Sequence, residues 1–332
     1  MSPERFRVVI TDLITDALER ERAALGDIAD VAALGARHED ELAGRVEDAD
    51  ALMVYHDIAV TRKTIARLAR CRLIIRCGVG FDNVDFAFAR ERGIPVANVP
   101  DYGTEEVADS AIGMTLALTR GVTFFNTRMQ DRRGAWDYRE AAPLRRLRGR
   151  VFGIVGLGRI GSAAALRAKA LGMDVAFYDP FVPDGRDKAL GIRRAESLEE
   201  LLAQSHVLSL HCPLTPETRG IIGADAIAKL PRGSFLVNTA RGPLVETASI
   251  APAIASGQLA GAALDVLPAE PPPAGDPLLL AWRDPQHPAH DRVIINPHAA
   301  FYCEEGLAEI RTKACANVRR VLLGEAPRNL VN

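Results

Sequence analysis

The stretch Gly153-Ile154-Val155-Gly156-Leu157-Gly158-Arg159-Ile160-Gly161 decides the fold of this chain. Its glycines have the spacing G-x-G-x-x-G and follow an apolar run, 151–155, that is typical of a buried strand. Residues 162–171 predict a helix, and 175–178 predict a second strand that ends at Asp179. Strand, glycine turn, helix, strand and acid in this order predict a dinucleotide site. The alternative is a structural turn in a doubly wound sheet.

Each glycine of this turn has a physical task in a dinucleotide site. Gly156 permits the tight turn, Gly158 lets a pyrophosphate approach the backbone, and Gly161 lets the helix pack on the strand. The N–H groups and the dipole at the helix start favour the phosphate charge. The turn therefore predicts where the phosphates bind.

The acid after the second strand predicts which dinucleotide binds. Asp179 is placed to accept hydrogen bonds from a ribose diol, and its charge would repel a 2′-phosphate. Residues 180–182 supply no adjacent arginine to bind such a phosphate. NAD is therefore favoured over NADP, although three arginines lie further along the chain and could weaken the preference: Arg186, Arg193 and Arg194.

The composition is that of an ordinary globular protein. The 332 residues suffice for two domains, and the chain is 48% hydrophobic and 25% charged. A formal net charge of −2 gives no electrostatic footprint for nucleic acid or an anionic membrane, and no apolar run approaches a membrane span. The five cysteines are odd in number and lack metal-ligand spacing, so we expect reduced thiols, no metal and a cytoplasmic protein.

Two series of alternating strands and helices predict an α/β protein with doubly wound parallel sheets. Strands of the first series are predicted at 6–10, 51–55, 73–76 and 95–99. A long helix is predicted at 104–120 and a final amphipathic helix at 303–323. Beyond the glycine turn, strands are predicted at 207–210, 234–238, 262–266 and 293–296.

Three side chains that could carry chemistry lie where strands of the second series end, the edge at which ligands bind in open α/β sheets. Arg241 follows a buried strand directly, where a planar guanidinium suits bidentate capture of a carboxylate. The alternative for Arg241 is a structural ion pair. His298 follows another strand and, with Arg241 and Glu270 at matching edges, differs from the remaining histidines, which are typical of packed or solvent-facing residues.

Together these three residues match the needs of 2-keto acid reduction. The reaction requires a clamp for the carboxylate, a proton donor for the carbonyl oxygen and a hydride from nicotinamide. Arg241 suits the clamp and also polarises the carbonyl. His298 suits the proton donor, and a carboxylate from Glu270 beside it would favour the imidazolium form. In the reverse direction the histidine is the base.

At this point the chain resembles the D-isomer-specific 2-hydroxyacid dehydrogenase family over nearly its whole length. The matching pieces are Gly78 to Asp85, the dinucleotide turn, Asn238 to Gly242, Glu270-Pro271 and Pro297 to Ala300. Within the family it is most similar to the C-terminal binding protein branch, and phosphoglycerate dehydrogenases are close relatives. The resemblance implies an NAD-dependent enzyme that interconverts a D-2-hydroxy acid and its 2-keto acid.

The resemblance also implies roles for individual residues. Arg241, Glu270 and His298 match the catalytic triad, and the amides of Val79 and Gly80 would hold the substrate carboxylate in a cleft between domains, assisted by Arg76 and Tyr55. Beyond the glycines and Asp179, the residues implied at the cofactor are Thr104, Arg159, Ile160, Cys212, Thr218, Thr239 and Asp265, the last near the nicotinamide amide.

The implied architecture is a Rossmann-type coenzyme domain, 103–301, inserted in a flavodoxin-like substrate domain, 1–102 completed by 302–332. A homodimer through the coenzyme domain is also implied. The C-terminal binding proteins have Trp where Phe301 stands and Ser where Val79 stands, which favours a keto acid with a small or apolar side chain over a phosphorylated one. Arg76 is the counter-argument, because it could bind a phosphate.

A function of another class stays open from the sequence. The branch that the chain resembles implies an NAD(H)-sensing, corepressor-like protein-binding scaffold with weak dehydrogenase activity. The intact Arg241, Glu270 and His298 favour the enzyme.

Overall fold

The chain forms two compact units in a computed structural model, which describes residues 5–141 and 143–332. The first unit comprises Met1–Gly103 with Tyr302–Asn332, and the second comprises Thr104–Phe301. Each unit is built on a parallel β-sheet flanked by helices. This is the α/β architecture predicted from the alternation of strands and helices.

The sheet of the first unit has the flavodoxin-like order β2-β1-β3-β4-β5. Its strands are Phe6–Ile10 (β1), Ala29–Ala33 (β2), Ala51–Val54 (β3), Leu73–Arg76 (β4) and Val96–Asn98 (β5). Every residue of β3, β4 and β5 is buried, as expected for parallel strands covered on both faces. The C-terminal segment lies along β5, where Leu330 bridges Ala97 in antiparallel fashion and the Val331 amide donates to the Val96 carbonyl at 2.8 Å.

The sheet of the second unit has the order β12-β11-β10-β9-β6-β7-β8, which is the Rossmann arrangement extended by one strand. Its strands are Val151–Val155 (β6), Asp174–Tyr178 (β7), Arg193–Arg194 (β8), Val207–Leu210 (β9), Ser234–Asn238 (β10), Leu259–Leu264 (β11) and Val293–Ile295 (β12). The strand order reverses between β6 and β9. The loops after these two strands therefore border the crevice where doubly wound sheets bind ligands.

Helices cover both sheets. They are Glu19–Leu25 (α1), Arg62–Ile65 (α2), Phe86–Glu91 (α3), Thr104–Thr119 (α4), Val122–Gln130 (α5), Arg159–Ala170 (α6), Arg186–Leu190 (α7), Leu198–Gln204 (α8), Ala224–Lys229 (α9), Ile250–Ala255 (α10), Pro277–Arg283 (α11) and Glu304–Leu322 (α12). Short 3₁₀ turns occur at Glu39–Leu42, Tyr138–Ala141, Gly242–Leu244 and Thr247–Ser249. None of the helices in the described ranges is both long enough and apolar enough to cross a membrane.

Apolar side chains pack on both faces of the second sheet. One cluster combines Phe152, Val207 and Phe235 with residues of α4 and α6, and the opposite one combines Leu208, Leu210 and Leu236 with residues of α8 to α10. Neighbouring residues of a strand thus face different helical layers. This packing fixes the positions of the strand ends, which carry the polar residues.

The element boundaries correct several sequence predictions. The helix after the glycine turn was predicted from Ser162 but begins at Arg159, because Gly158 is its N-cap. The strand predicted at 262–266 spans Leu259–Leu264, and those predicted at 51–55, 95–99 and 293–296 are each shorter by one or two residues. β2 and β8 were not predicted. Both lie at sheet edges and are partly exposed, so neither has a continuous apolar run.

Candidate active site and cofactor site

The glycine turn has the geometry that its sequence predicts. Gly156 has φ +91°, and a Cβ added there would lie 2.5 Å from the backbone nitrogen of Cys212. A Cβ on Gly161 would lie 2.2 Å from the Gly156 carbonyl oxygen, whereas a Cβ on Gly158 would meet nothing within 4 Å. The first and third glycines are thus required by close packing. The second leaves open space at the start of α6, where a pyrophosphate can approach.

Asp179 is held at this turn by backbone hydrogen bonds. The Leu157 amide donates to its Oδ2 at 2.8 Å, and the Phe181 amide donates to its Oδ1 at 2.9 Å. A carboxylate oxygen accepts more than one hydrogen bond, so both oxygens retain capacity for ribose hydroxyls. Asp179 is therefore fixed in position beside the turn and can still accept hydrogen bonds from a ligand.

Two buried polar atoms at the same sheet edge have no hydrogen-bond partner among the described residues: Thr239 Oγ1, just after β10, and His211 Nδ1, just after β9. Burial lowers the pKa of His211 to about 4, which keeps the ring neutral near pH 7. Unsatisfied buried polar groups are costly unless a bound group completes them. Their position at the sheet edge that also carries the glycine turn fits a dinucleotide.

The remaining residues predicted at the cofactor lie at helix starts or beside the turn. Arg159 and Ile160 begin α6, and Thr104 begins α4. The Thr218 hydroxyl donates to the Pro213 carbonyl at 2.8 Å and shapes the loop that follows the buried Cys212.

Arg241 lies in a loop whose backbone is held by hydrogen bonds from a buried asparagine. Asn238, at the end of β10, donates from Nδ2 to the Arg241 carbonyl at 2.8 Å and accepts the Ala240 amide at 3.0 Å. A Cβ on Gly242 would lie 2.0 Å from the Leu267 carbonyl carbon, so this loop packs directly against the one after β11. The guanidinium is half-buried, and its Nη1 donates to the Ala240 carbonyl at 2.8 Å.

His298 and Glu270 form the predicted pair. His298 Nδ1 lies 2.7 Å from Glu270 Oε2, and the other Glu270 oxygen accepts the Leu267 amide at 2.9 Å. Phe301 meets the imidazole edge to face, with ring centroids 6.3 Å apart. The glutamate is thus fixed through both oxygens, and the imidazole lies between a carboxylate and an apolar wall.

Asp265 positions the backbone of His298, a role that the sequence did not indicate. Only 2% of Asp265 is exposed, and its carboxylate accepts the amides of Ala299 at 2.9 Å and Ala300 at 3.0 Å. Its carbonyl accepts the His298 amide at 2.8 Å, and His298 has the left-handed φ of +53°. Burial raises the pKa of Asp265, while the two amide hydrogen bonds oppose the shift. These contacts hold the histidine in a conformation that L residues rarely adopt.

In the first unit, the loop at Val79 and Gly80 is braced by buried polar side chains. Asn98, at the end of β5, donates from Nδ2 to the Val79 carbonyl at 2.6 Å. The buried Arg76 guanidinium donates to the Cys77 carbonyl at 3.0 Å and covers Gly78, where an added Cβ would lie 1.4 Å from Nη1. These contacts brace the backbone around Val79 and Gly80.

The neighbouring loop is held by two residues that were given no role from the sequence. Asp12 accepts the amides of Tyr55 at 2.9 Å and Asp57 at 2.8 Å, and Asn83 donates to the Tyr55 and Ile58 carbonyls, both at 2.8 Å. Tyr55 itself is buried, with its phenol close to Cys77. A polar residue close behind an apolar strand, as Asp12 is behind Ile10 of β1, is the signal that could have found such a brace.

Comparison with known proteins identifies the family. The model for the NAD binding domain of D-isomer specific 2-hydroxyacid dehydrogenases matches residues 112–300. The chain belongs to the D-isomer-specific 2-hydroxyacid dehydrogenase family. The second unit contains the NAD-binding domain of that family, and NAD is its cofactor, as the glycine turn and Asp179 predicted.

Relatives in the family are similar along nearly the whole chain. D-3-phosphoglycerate dehydrogenase of Methanocaldococcus jannaschii is 35% identical over 96% of this chain, and C-terminal-binding protein 1 of Caenorhabditis elegans is 35% identical over 94%. The chain spans 59% and 43% of the lengths of these two relatives. The structure of D-lactate dehydrogenase from Aquifex aeolicus, complexed with NAD and lactic acid, is 29% identical with a TM-score of 0.85, covering 96% of each chain.

Proposed function

We propose that this protein interconverts a D-2-hydroxy acid and its 2-keto acid with NAD. The observation that carries the proposal is the 2.7 Å contact between His298 Nδ1 and Glu270 Oε2, on a histidine whose backbone Asp265 fixes. A carboxylate bonded to one imidazole nitrogen orients the ring and leaves the other nitrogen to give a proton to a carbonyl oxygen. Family membership supports the same reaction.

The geometry of the second unit supports a set of residues that would hold NAD. Gly158 and the amides of Arg159 and Ile160 would bind the pyrophosphate, and Asp179 would bind the ribose diol. The sides of the cofactor would be lined by Thr104, Cys212, Thr218, Thr239 and Asp265. When bound, the nicotinamide supplies the hydride for reduction or accepts it in oxidation.

The protein's own groups bind the acid and move the proton. Arg241 binds the substrate carboxylate and polarises the adjacent carbonyl, and His298 Nε2 gives its proton to the carbonyl oxygen. In oxidation the neutral ring takes the hydroxyl proton, and the Glu270 charge stabilises the imidazolium that results. We also assign binding of the substrate carboxylate to the Val79 and Gly80 amides, with help from Arg76 and Tyr55. Phe301 favours a small or apolar side chain.

The kinetics of Glu270→Gln test the contact between Glu270 and His298. Glutamine keeps the size of the side chain but removes the charge that orients the imidazole, so kcat/KM for a 2-keto acid should fall by at least about tenfold. NADH binding should not change. A variant with the wild-type kcat/KM would remove the claim that Glu270 acts on His298.

A second candidate function, an NAD(H)-sensing scaffold that binds other proteins, is favoured by the likeness to C-terminal-binding protein 1. It would not need Arg241, Glu270 or His298. Binding of NADH without turnover of any 2-keto acid would favour the scaffold over the enzyme.

We assign the protein a homodimer formed through its second unit. Val122, Trp136 and Tyr138 are 59%, 95% and 82% exposed, and a cavity of about 680 Å³ that includes Gly121 and Thr123, the neighbours of Val122, has both apolar and charged residues in its lining. Exposed large apolar side chains of this kind are typical of protein interfaces.

Light scattering tests the dimer. The wild type should have twice the chain mass, and Trp136→Glu should raise the dimer dissociation constant by at least about 30-fold, because it buries an unpaired charge. Leu166→Gln, a change at an exposed leucine of α6, should leave the dimer intact. A monomeric wild type, or equal effects of the two variants, would contradict the assignment.

A further inference from the structure

The three arginines that follow Asp179 in the sequence differ in what they contact. Arg194 donates to the Val182 carbonyl at 2.6 Å and the Pro183 carbonyl at 3.1 Å, and lies over the Phe177 ring at 5.4 Å. It therefore braces the loop after β7. Arg193 is exposed on the edge strand β8. Arg186 is the one that reaches the glycine turn.

Arg186 extends from the start of α7 to the first turn of α6. Its Nη2 donates to Ser162 Oγ at 3.2 Å, and Ser162 is buried one residue after the last glycine of the turn. Among the residues that the structure describes, no carboxylate lies within ion-pair distance of this guanidinium. A permanent positive charge thus rests against a neutral hydroxyl at the edge of the phosphate-binding turn.

Arg186 and Asp179 approach the turn at the same residue. Ser162 Oγ lies 3.5 Å from the Leu157 carbonyl oxygen, and the Leu157 amide donates to Asp179 Oδ2 at 2.8 Å. The backbone of Leu157 therefore lies between the Ser162 hydroxyl that Arg186 contacts and the carboxylate of Asp179. The arginine is exposed and long, so its guanidinium can leave the serine hydroxyl at low cost and move toward an anion at the ribose.

We propose that Arg186 is a second specificity-determining residue of the cofactor site. It provides an anion-binding charge beside the adenosine ribose, and Asp179 prevents that charge from binding a 2′-phosphate. With Asp179 present, a 2′-phosphate meets a fixed carboxylate, and NAD is preferred. Without the carboxylate, the guanidinium can bind the phosphate through two parallel hydrogen bonds. This inference rests on the proposed position of the ribose at Asp179.

The test measures dissociation constants of NADH and NADPH, from nicotinamide fluorescence, for the wild type, Asp179→Ser, Arg186→Ala and the double variant. The wild type should bind NADH at least about tenfold more tightly than NADPH. Asp179→Ser should weaken NADH binding and strengthen NADPH binding by about tenfold, and adding Arg186→Ala should abolish that gain. Arg193→Ala in the Asp179→Ser background is the matched control, and it should preserve the gain.

The outcomes separate the two claims. A gain in NADPH affinity that survives Arg186→Ala, or that Arg193→Ala removes equally, overturns the role of Arg186. So does an Asp179→Ser variant that binds NADH more weakly without binding NADPH more tightly. If Asp179→Ser changes neither constant, the position of the ribose is wrong, and that assignment under the proposed function fails as well. Far-ultraviolet circular dichroism of each variant checks that it is folded.

Discussion

Replacing His298 by alanine is expected to lower kcat/KM for 2-keto acid reduction by about a thousandfold. The imidazole is the proton donor in the proposed mechanism, and its contact with Glu270 at 2.7 Å is the basis of that assignment. Alanine supplies no proton at any pH, so the loss should be present throughout the pH range. Steady-state rates at saturating NADH, measured over a range of keto acid concentrations, give the change in kcat/KM.

NADH binding shows whether His298→Ala has lost only its proton donor or has also lost its folded structure. His298→Ala should bind NADH with nearly the wild-type dissociation constant, because the glycine turn and Asp179 are on other loops. His38→Ala, at an exposed histidine of the first unit, should retain wild-type turnover. A His298→Ala variant that keeps more than about a tenth of the wild-type kcat/KM would exclude general acid catalysis by this residue.

Replacing Arg241 by lysine should lower kcat/KM for the keto acid by about a hundredfold, although the charge is conserved. Lysine loses the planar fork that binds a carboxylate through two parallel hydrogen bonds, and misplacement of the substrate reduces the rate further. The Asn238 side chain and the close packing of Gly242 also hold this loop and are unchanged, so the variant should fold and bind NADH normally.

A matched substitution checks that the loss of kcat/KM comes from the position of Arg241 and not from an arginine-to-lysine change in general. Arg283→Lys, at an exposed arginine of α11, makes the same chemical change away from the strand edge and should not alter kinetics. Normal turnover by Arg241→Lys would refute its assignment as a bidentate clamp.

The strong local signals predicted most of the fold. Glycine spacing, apolar runs and the acid at Asp179 predicted the β6–α6–β7 unit, and the alternation of strands and helices predicted both parallel sheets. The sequence predictions failed for the strands at sheet edges and for the start of a strand that contains glycine. β11 begins at Leu259, ahead of Gly261, whose missing side chain allows close approach to the Arg292 carbonyl. A glycine inside a strand weakens the apolar pattern that reveals it.

The residues of the candidate site were proposed from the sequence, and their roles stay predictions, whereas the contacts that brace them could not be predicted. Arg241, Glu270 and His298 were proposed because each follows a predicted strand. The amide of Ala299 donates to the Asp265 carboxylate across 34 positions of sequence, and the Arg186–Ser162 contact spans 24. No local periodicity encodes such contacts, since they depend on how neighbouring strands and helices pack.

The most direct test of the proposed function is a set of 2-keto acids, differing in side-chain size and charge, incubated with NADH and the wild-type protein. The initial rate of NADH oxidation and the configuration of each product are measured. We predict reduction to D-2-hydroxy acids, with small or apolar side chains preferred over phosphorylated ones. NADH binding without reduction of any keto acid, or formation of the L-isomer, would contradict the proposed function.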